Sequence, residues 1–313
     1  GEALFLRSLM FFDLVRFFAQ QYQSGTAGTQ LGIPLVLTPT RGIDEESFIS
    51  RNTVEEVYNQ VIADLVLAAS KLPEENEVYA TSGAANALLA RVYLQKGDYA
   101  KARDAASLVI ESGLYELLPS YSDVFNNDDN TSEDIFATQI TSQDRMSSMT
   151  EFFSIPAFGG RDGDIEILDG HLNLYPDGDE RLDLFFLGNG EMRSGKWNNL
   201  YGVVNLIRLS EIYLIRAECN QRLGTVIGDT PLNDFNAVHT RAGLTGATVV
   251  TLDDILLERR LELSYEGHRI HDQRRLGQSV GTLPFNDPKL VFPIPFRETE
   301  ANPNLKTQQN PGY

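Results

Sequence analysis

The chain has 313 residues, of which 26 are basic and 44 acidic, so its net charge is −18. This acidity argues against nucleic acid and anionic membrane surfaces as partners, because the long-range field of the protein repels both. The apolar stretches fall short of the roughly 18 residues that cross a bilayer. The one cysteine, Cys219, lies in an apolar helical run and is predicted to be a packing residue.

The first predicted element is a helix over residues 3–19, which is apolar on nearly all sides and is therefore expected to be buried on several faces. A second helix is predicted from a capping box, in which Thr53 precedes the helix and Glu56 follows three residues later. Apolar residues then recur at three- and four-residue spacing until Pro73 ends the pattern.

A tetratricopeptide-like unit follows, with the pattern Leu89-Ala90-x-x-Tyr93 and then Gly97-x-Tyr99-x-x-Ala102-x-x-x-Ala106. Ala90 and Ala102 are small where the two helices of such a unit approach closely, and Gly97 begins the turn between them. A weaker copy begins at Leu209. The predicted fold class is mostly α, with tetratricopeptide-like helix pairs that form an α-α superhelical scaffold and a long irregular loop-rich region.

Residues 115–205 form that loop-rich region, since they show no sustained helical period and alternate Gly, Asp and Asn clusters with aromatic residues. Loops of this length are usually functional or disordered, and the aromatic residues favour an ordered, functional region. The predicted organisation is thus a helical scaffold, a candidate ligand region, a second helical scaffold and an extended C-terminal strap, over residues 1–114, 115–205, 206–280 and 281–313.

The strap ends on Tyr313 and contains several Pro-based turn signals, which argue against a helix or a central strand. A disordered tail would lack its apolar and aromatic anchors. We therefore expect an ordered segment that runs over the body, pins the C-terminus and binds no ligand.

Taken in order, these motifs resemble the SusD/RagB family of nutrient-binding outer-membrane lipoproteins from Bacteroidetes. Besides the tetratricopeptide unit and the strap, the segments that carry the resemblance are Glu2-Ala3-x-Phe5-Leu6-Arg7, Phe12-Asp13-Leu14-Val15-Arg16, Gly178-Asp179-Glu180-Arg181-Leu182, Ile207-Arg208-Leu209-Ser210-Glu211-Ile212-Tyr213-Leu214-Ile215-Arg216-Ala217-Glu218 and Glu258-Arg259-Arg260-x-Glu262-Leu263-x-x-Glu266-Gly267-x-Arg269.

The resemblance implies a single SusD-like domain over residues 1–313 that lacks the family's N-terminal part, with its signal peptide and lipid-bearing cysteine. It implies an oligosaccharide or other nutrient as ligand, bound at the outer membrane on the outward-facing cell surface. It also implies delivery to a SusC-like TonB-dependent transporter, without catalysis or an obligatory cofactor. In one departure from the family pattern, His271 and Gln273 replace apolar residues, which predicts an exposed helix end.

A sugar site needs a flat apolar face for the ring and planar polar groups for the hydroxyls. Residues 152–164 supply both kinds of group. The candidate ligand-binding residues are Phe153, Phe158, Arg161, Asp162, Asp164, Trp197 and Tyr201. For Trp197, which directly precedes a core helix, structural packing is the favoured alternative.

Two Asp-rich stretches, residues 126–130 and 177–180, contain oxygen ligands of the kind that calcium prefers. Neither has the spacing of an Asp-x-Asp-x-Asp-Gly loop, so both are predicted to be solvated turns. Of the four histidines only His268 and His271 lie close in sequence, and no third ligand follows at a metal-site spacing. We therefore expect no metal, cofactor or catalytic residue.

Three hypotheses follow from the sequence. The first is a non-catalytic glycan-binding protein of the cell surface. The second is a tetratricopeptide-type interaction scaffold that binds a peptide or a transporter loop on its concave face. The third is an all-helical glycoside hydrolase, which is disfavoured because the sequence singles out no pair of carboxylates.

Overall fold

The computed structural model describes residues 1–313, with the exception of the Glu46 side chain. Most of the regular structure is helical, and among the described helices none is both long and apolar enough to cross a membrane. In chain order the α-helices are α1 (Glu2–Phe18), α2 (Val54–Lys71), α3 (Ser82–Lys96), α4 (Tyr99–Glu111), α5 (Ser148–Phe153), α6 (Asp169–Leu172), α7 (Leu209–Leu223), α8 (Pro231–His239), α9 (Leu252–Glu262), α10 (Arg269–Arg275) and α11 (Phe296–Ala301).

Local sequence signals set the helix boundaries as predicted. The N–H of Thr53 donates to Glu56 Oε2 over 2.8 Å, and the N–H of Glu56 donates to Thr53 Oγ1 over 3.2 Å. This capping box satisfies two of the N–H groups that a helix start leaves without a partner. Gly97 ends α3 with a φ of +81°, a conformation that glycine adopts without steric cost.

The long helices form one continuous row in which α1, α2, α3, α4, α7 and α8 each pack against the next. At the α3–α4 contact Ala90 and Ala102 are completely buried, which lets the two backbones approach closely. The second pair, α7 and α8, occupies the position of the weaker repeat. The predicted scaffold of tetratricopeptide-like helix pairs is therefore confirmed.

The main hydrophobic core runs along this row and includes the rings of Phe5 and Phe12, both fully buried. Cys219 belongs to the same core, and burial raises the pKa of its thiol well above the ordinary value. Its predicted role as a packing residue is confirmed.

The loop-rich region contains short helices and the four strands β1 (Asp134–Thr138), β2 (Phe185–Gly188), β3 (Glu191–Ser194) and β4 (Val204–Arg208). Strands β1 and β4 pair antiparallel with an irregular register near Phe136. Strands β2 and β3 form a hairpin, and the φ angles of Asn189 (+54°) and Gly190 (+86°) fit the two-residue turn that matches strand twist.

Buried ion pairs fasten the loop-rich region to α9. Arg181 lies 2.7 Å from Asp179 and 2.6 Å from Glu258, with all three side chains buried. The prediction of a solvated turn is wrong for Asp179, because its carboxylate accepts from the Arg181 side chain in the interior. A second buried arginine, Arg208, joins Glu133 at 3.0 Å, and thereby links β4 to the segment before β1.

The C-terminal strap is pinned to the body by polar contacts. Arg51 is 6% exposed, and its guanidinium donates to the carbonyl of Gln308 over 2.7 Å and to the Asn310 side chain over 2.9 Å. The prediction that the strap excludes helix is wrong for α11. Pro295 occupies the N-cap position of this helix, where its missing N–H costs no intrahelical bond, and Pro303 lies beyond its end.

The helix end at His271 also differs from the expectation. His271 is 2% exposed, and its ring packs edge to face on Phe17 with 5.2 Å between centroids. Burial and the nearby guanidiniums of Arg16 and Arg274 lower the pKa of His271 to about 2. The imidazole is therefore neutral at pH 7 and fills the place of an apolar residue.

Candidate functional site

Several of the predicted ligand residues lie together on one exposed surface of the loop-rich region. Phe152, in the last turn of α5, is 40% exposed, and the Arg161 guanidinium lies 5.1 Å from the centre of its ring. Arg161 also pairs with Asp164 at 3.3 Å. A hydrogen bond from the N–H of Arg161 to the carbonyl of Glu151 holds this loop against α5. An aromatic face and planar polar groups are thus adjacent, as a sugar ring requires.

The flanking candidates are also accessible. Phe158 is 42% exposed, and its ring meets Phe186 edge to face at 5.7 Å. Tyr201 is 38% exposed and follows Leu200, whose carbonyl accepts the N–H of Ser147 at the start of α5. Asp162 has an exposed side chain, while its carbonyl accepts from Asn189 over 3.2 Å.

Trp197 does not belong to this surface. It is 4% exposed, and its ring lies edge to face with Phe125 at 6.0 Å. A buried indole presents no open face on which a sugar could stack, so the packing interpretation holds and Trp197 is corrected as a ligand candidate.

Phe153 contacts a residue of a cavity that the sequence analysis did not predict. Its ring contacts Tyr265, in the turn after α9, edge to face with 6.1 Å between centroids. Tyr265 has a φ of +62°, a left-handed conformation that costs a non-glycine residue about 1–2 kcal/mol. Such backbone strain is concentrated at functional sites.

Tyr265 borders a cavity of about 320 Å³, which we name the Tyr265 cavity. Helix α6 of the loop-rich region contributes one lining residue, and the end of α9, the following turn and α10 contribute the rest. The lining residues are His171, Arg260, Ser264, Tyr265, Gly267, Arg269 and Ile270. The sequence offered only a weak signal for this site, an aromatic residue two positions before the Gly267 turn.

The titratable groups of the Tyr265 cavity are held in states suited to hydrogen bonding. Burial, and then the positive charge of Arg260, lowers the pKa of His171 to about 4, so its imidazole is neutral at pH 7. Burial raises the pKa of Tyr265 to about 12, so its hydroxyl keeps its proton and can donate. The His171 and Tyr265 rings lie edge to face at 5.5 Å. The cavity thus combines neutral aromatic walls with two guanidiniums.

A larger cavity of about 620 Å³ lies under the strap, between α1, residues 33–49 and residues 294–305. Its lining is mainly aliphatic and includes Leu14, Ile33 and Ile294. It offers fewer planar polar groups for hydroxyls than the Tyr265 cavity, and is therefore the poorer match to a sugar. In the part of the chain that the structure describes, no group of three or more His, Cys, Asp or Glu side chains is arranged to hold a metal ion.

Comparisons with known proteins identify the scaffold. A family model described as "Starch-binding associating with outer membrane" matches residues 1–94. A second, described as "SusD family", matches residues 188–284, and so includes α9, Tyr265 and α10. Much of the loop-rich region lies between these two matches.

A SusD superfamily protein from Bacteroides thetaiotaomicron is similar in structure, with a TM-score of 0.84 and 30% identity over 99% of this chain and 77% of that chain. A SusD-like protein from Bacteroides ovatus is 27% identical over 76% of this chain and 52% of its own length. The chain therefore spans about half the length of that curated relative.

A "Laminarin binding SusD-like protein" shares the fold, with a TM-score of 0.77 and 22% identity over 100% of this chain and 78% of that chain. At this identity the likeness concerns the fold alone. The helix row, the two family matches and the similarity to the B. thetaiotaomicron structure agree with one another. The chain belongs to the SusD/RagB family.

Proposed function

We propose that this chain binds an oligosaccharide without catalysis, at the Tyr265 cavity and the neighbouring surface of Phe152 and Arg161. The observation that carries the proposal is the contact between Phe153 and Tyr265, which brings the end of α5 against a lining residue of the Tyr265 cavity. Arg260 and Arg269 supply donors for hydroxyl groups beside it. The starch-binding description of the family supports a sugar as ligand.

The absence of turnover is part of the proposal. Glycoside hydrolysis generally uses two carboxylates that flank the scissile bond. The residues described around the Tyr265 cavity include no Asp or Glu. At the Tyr265 cavity this lining supports the binding of a sugar rather than its cleavage.

We further propose that a lipid anchor holds the protein on the outward face of the outer membrane. There it delivers its ligand to a SusC-like TonB-dependent transporter. The description of the family as associating with the outer membrane supports the location. Co-purification with a SusC-like transporter from the same organism tests the partnership. Recovery of the transporter with a tagged chain is expected, and its consistent absence contradicts this part.

An interaction scaffold is the second candidate, favoured by an exposed apolar stripe on α1. Leu6, Met10 and Leu14 follow at four-residue spacing and are 47%, 51% and 42% exposed. Contiguous apolar surface of this kind suits a protein contact rather than a sugar. If Met10→Glu abolishes co-purification of the transporter while sugar binding is kept, the two functions reside on different surfaces.

Sugar binding itself is tested by screening the protein on a broad glycan array and titrating the best oligosaccharide by calorimetry. Saturable binding is expected, with no product detected by chromatography after prolonged incubation. Failure of every glycan to bind contradicts the proposal, and release of shorter oligosaccharides contradicts the non-catalytic part.

A further inference from the structure

Two guanidiniums are shared between the Tyr265 cavity and a second cavity. Arg260 on α9 and Arg269 on α10 line both spaces, the second of which measures about 200 Å³ and lies between the two helices. Among the described residues neither arginine forms a salt bridge, whereas the adjacent Arg259 pairs with Asp272 and Glu211. Arg260 is half-buried and Arg269 is exposed, so both guanidiniums stand unpaired in a chain whose net charge is −18.

Arg259, another lining residue of the second cavity, has a buried donor without a partner. It is 2% exposed, and its Nε and Nη2 atoms donate to Asp272 over 3.0 Å and to Glu211 over 3.2 Å. Its Nη1 atom is buried and has no hydrogen-bond partner among the described atoms. A buried donor without a partner is costly.

The acidic groups nearby offset these charges only in part, since Asp272 raises the pKa of Arg269 against the larger effects of burial and Arg260. Asp272 lines the second cavity, but its carboxylate is occupied by Arg259 and by Arg275, whose Nε lies 2.7 Å away. Asp253 is exposed and lines the second cavity only. The Tyr265 cavity has no acidic lining residue among those described.

The two free arginines also act on each other. Burial, and then the positive charge of Arg260, lowers the pKa of Arg269 from its ordinary value. The cations are therefore close enough to repel, and an anion bound between them would remove that repulsion. The hydroxyl groups of a neutral sugar carry no charge and would leave the repulsion in place.

We propose that the oligosaccharide bound by this protein carries an anionic substituent, a carboxylate or a sulfate, and that Arg260 and Arg269 hold it. The inference rests on the proposed function and specifies its ligand class. Both anions present several oxygen acceptors that a planar guanidinium contacts in pairs. Tyr265 and Phe153 would then face the apolar side of the sugar ring that bears the anion.

The test begins on an array with neutral, uronate-containing and sulfated oligosaccharides. The strongest anionic binder is titrated by calorimetry beside its matched neutral derivative, carboxyl-reduced for a uronate or desulfated for a sulfate ester. The derivative is expected to bind about tenfold to a hundredfold more weakly, because hydrogen bonds to charged groups contribute more to affinity than hydrogen bonds to neutral groups. Comparison of the uronate and sulfate series shows which anion the site selects.

Variants then locate the anion. Arg260→Gln and Arg269→Gln are each expected to weaken the anionic ligand at least tenfold and to weaken the neutral derivative much less. Arg297→Gln, at an exposed position on α11, is the matched control and is expected to change neither. Arg260→Lys keeps the positive charge but cannot donate two parallel hydrogen bonds to one anion. It replaces the Gln variant if circular dichroism shows that the Gln variant does not fold.

The outcomes separate the two proposals. Equal affinity for the anionic ligand and its neutral derivative overturns the anion inference and leaves sugar binding intact. Anionic binding that neither arginine variant weakens overturns the assignment to Arg260 and Arg269. If nothing on the array binds, the proposed function fails together with the inference.

Discussion

The ring of Phe153 meets the ring of Tyr265 edge to face, with 6.1 Å between their centroids. Phe153 ends α5 in the loop-rich region, and Tyr265 follows α9 in the helical scaffold. This one contact joins the loops that the sequence predicted to bind ligand to a cavity that the sequence did not predict. The consequences can be measured residue by residue.

Truncation of the loop-side ring is the first prediction. Phe153→Ala should weaken the array-selected oligosaccharide about five- to tenfold, because an aromatic contact contributes about 1 kcal/mol beyond its area. Calorimetric titration measures the change. Phe296→Ala removes a ring that is 77% exposed on α11 and serves as the control. Equal affinities of the two variants would place the sugar elsewhere.

The left-handed backbone of Tyr265 leads to a prediction about stability. Tyr265→Ala and Tyr265→Gly remove the same ring, but only glycine relieves the strain at a φ of +62°. The glycine variant should therefore be more stable than the alanine variant by about 1 kcal/mol. Urea unfolding gives the difference.

The same pair of substitutions at Tyr79 provides the control. Tyr79 is 60% exposed and is not among the described non-glycine residues with positive φ. There the glycine variant should be the less stable of the two, because glycine loses more backbone entropy on folding. The same ordering at both positions contradicts the strain argument.

The buried ion pairs of Arg181 support the loop-rich region against α9. Arg181→Met leaves the Asp179 and Glu258 carboxylates without this partner, which should cost about 3–5 kcal/mol in the free energy of unfolding. Lys101→Met breaks only the exposed pair with Asp98 and should cost less than about 1 kcal/mol. Chemical denaturation that gives similar losses for both would refute a special role for Arg181.

Stability should also fall between pH 7 and pH 5 through three histidines. Burial lowers the pKa of His171 and of His268 to about 4 and that of His271 to about 2, while an unfolded histidine titrates near 6.5. Below about pH 6.5 the unfolded chain binds protons that the folded chain rejects, so stability is lost as the pH falls.

The expected loss at pH 5 is about 1–2 kcal/mol per histidine, measured by urea unfolding at the two pH values. The buried carboxylates contribute mainly below about pH 4.5, where the unfolded acids begin to be protonated. His271→Gln should reduce the loss by the share of one histidine. Equal stability at both pH values in the unmodified chain rules this mechanism out.

Short-range patterns predicted the scaffold well. The capping box at Thr53 and the tetratricopeptide spacing around Ala90 and Ala102 depend on residues a few positions apart, and the structure places them as expected. The structure also places Arg161 and Asp164 beside the last turn of α5.

Long-range contacts account for the differences. Asp179 is buried because Arg181 and α9 enclose it, and His271 is buried because α1 packs over it. Tyr265 becomes a site residue only through α5 and α6, more than ninety positions earlier in the chain. No local pattern carries that information.

The most direct test of the account is the crystal structure of the protein with an array-selected oligosaccharide. We predict a sugar ring against Tyr265, with Arg260 or Arg269 within hydrogen-bond distance of its polar substituents. A sugar found instead in the cavity under the strap, or on the scaffold away from Tyr265, would contradict the proposed site.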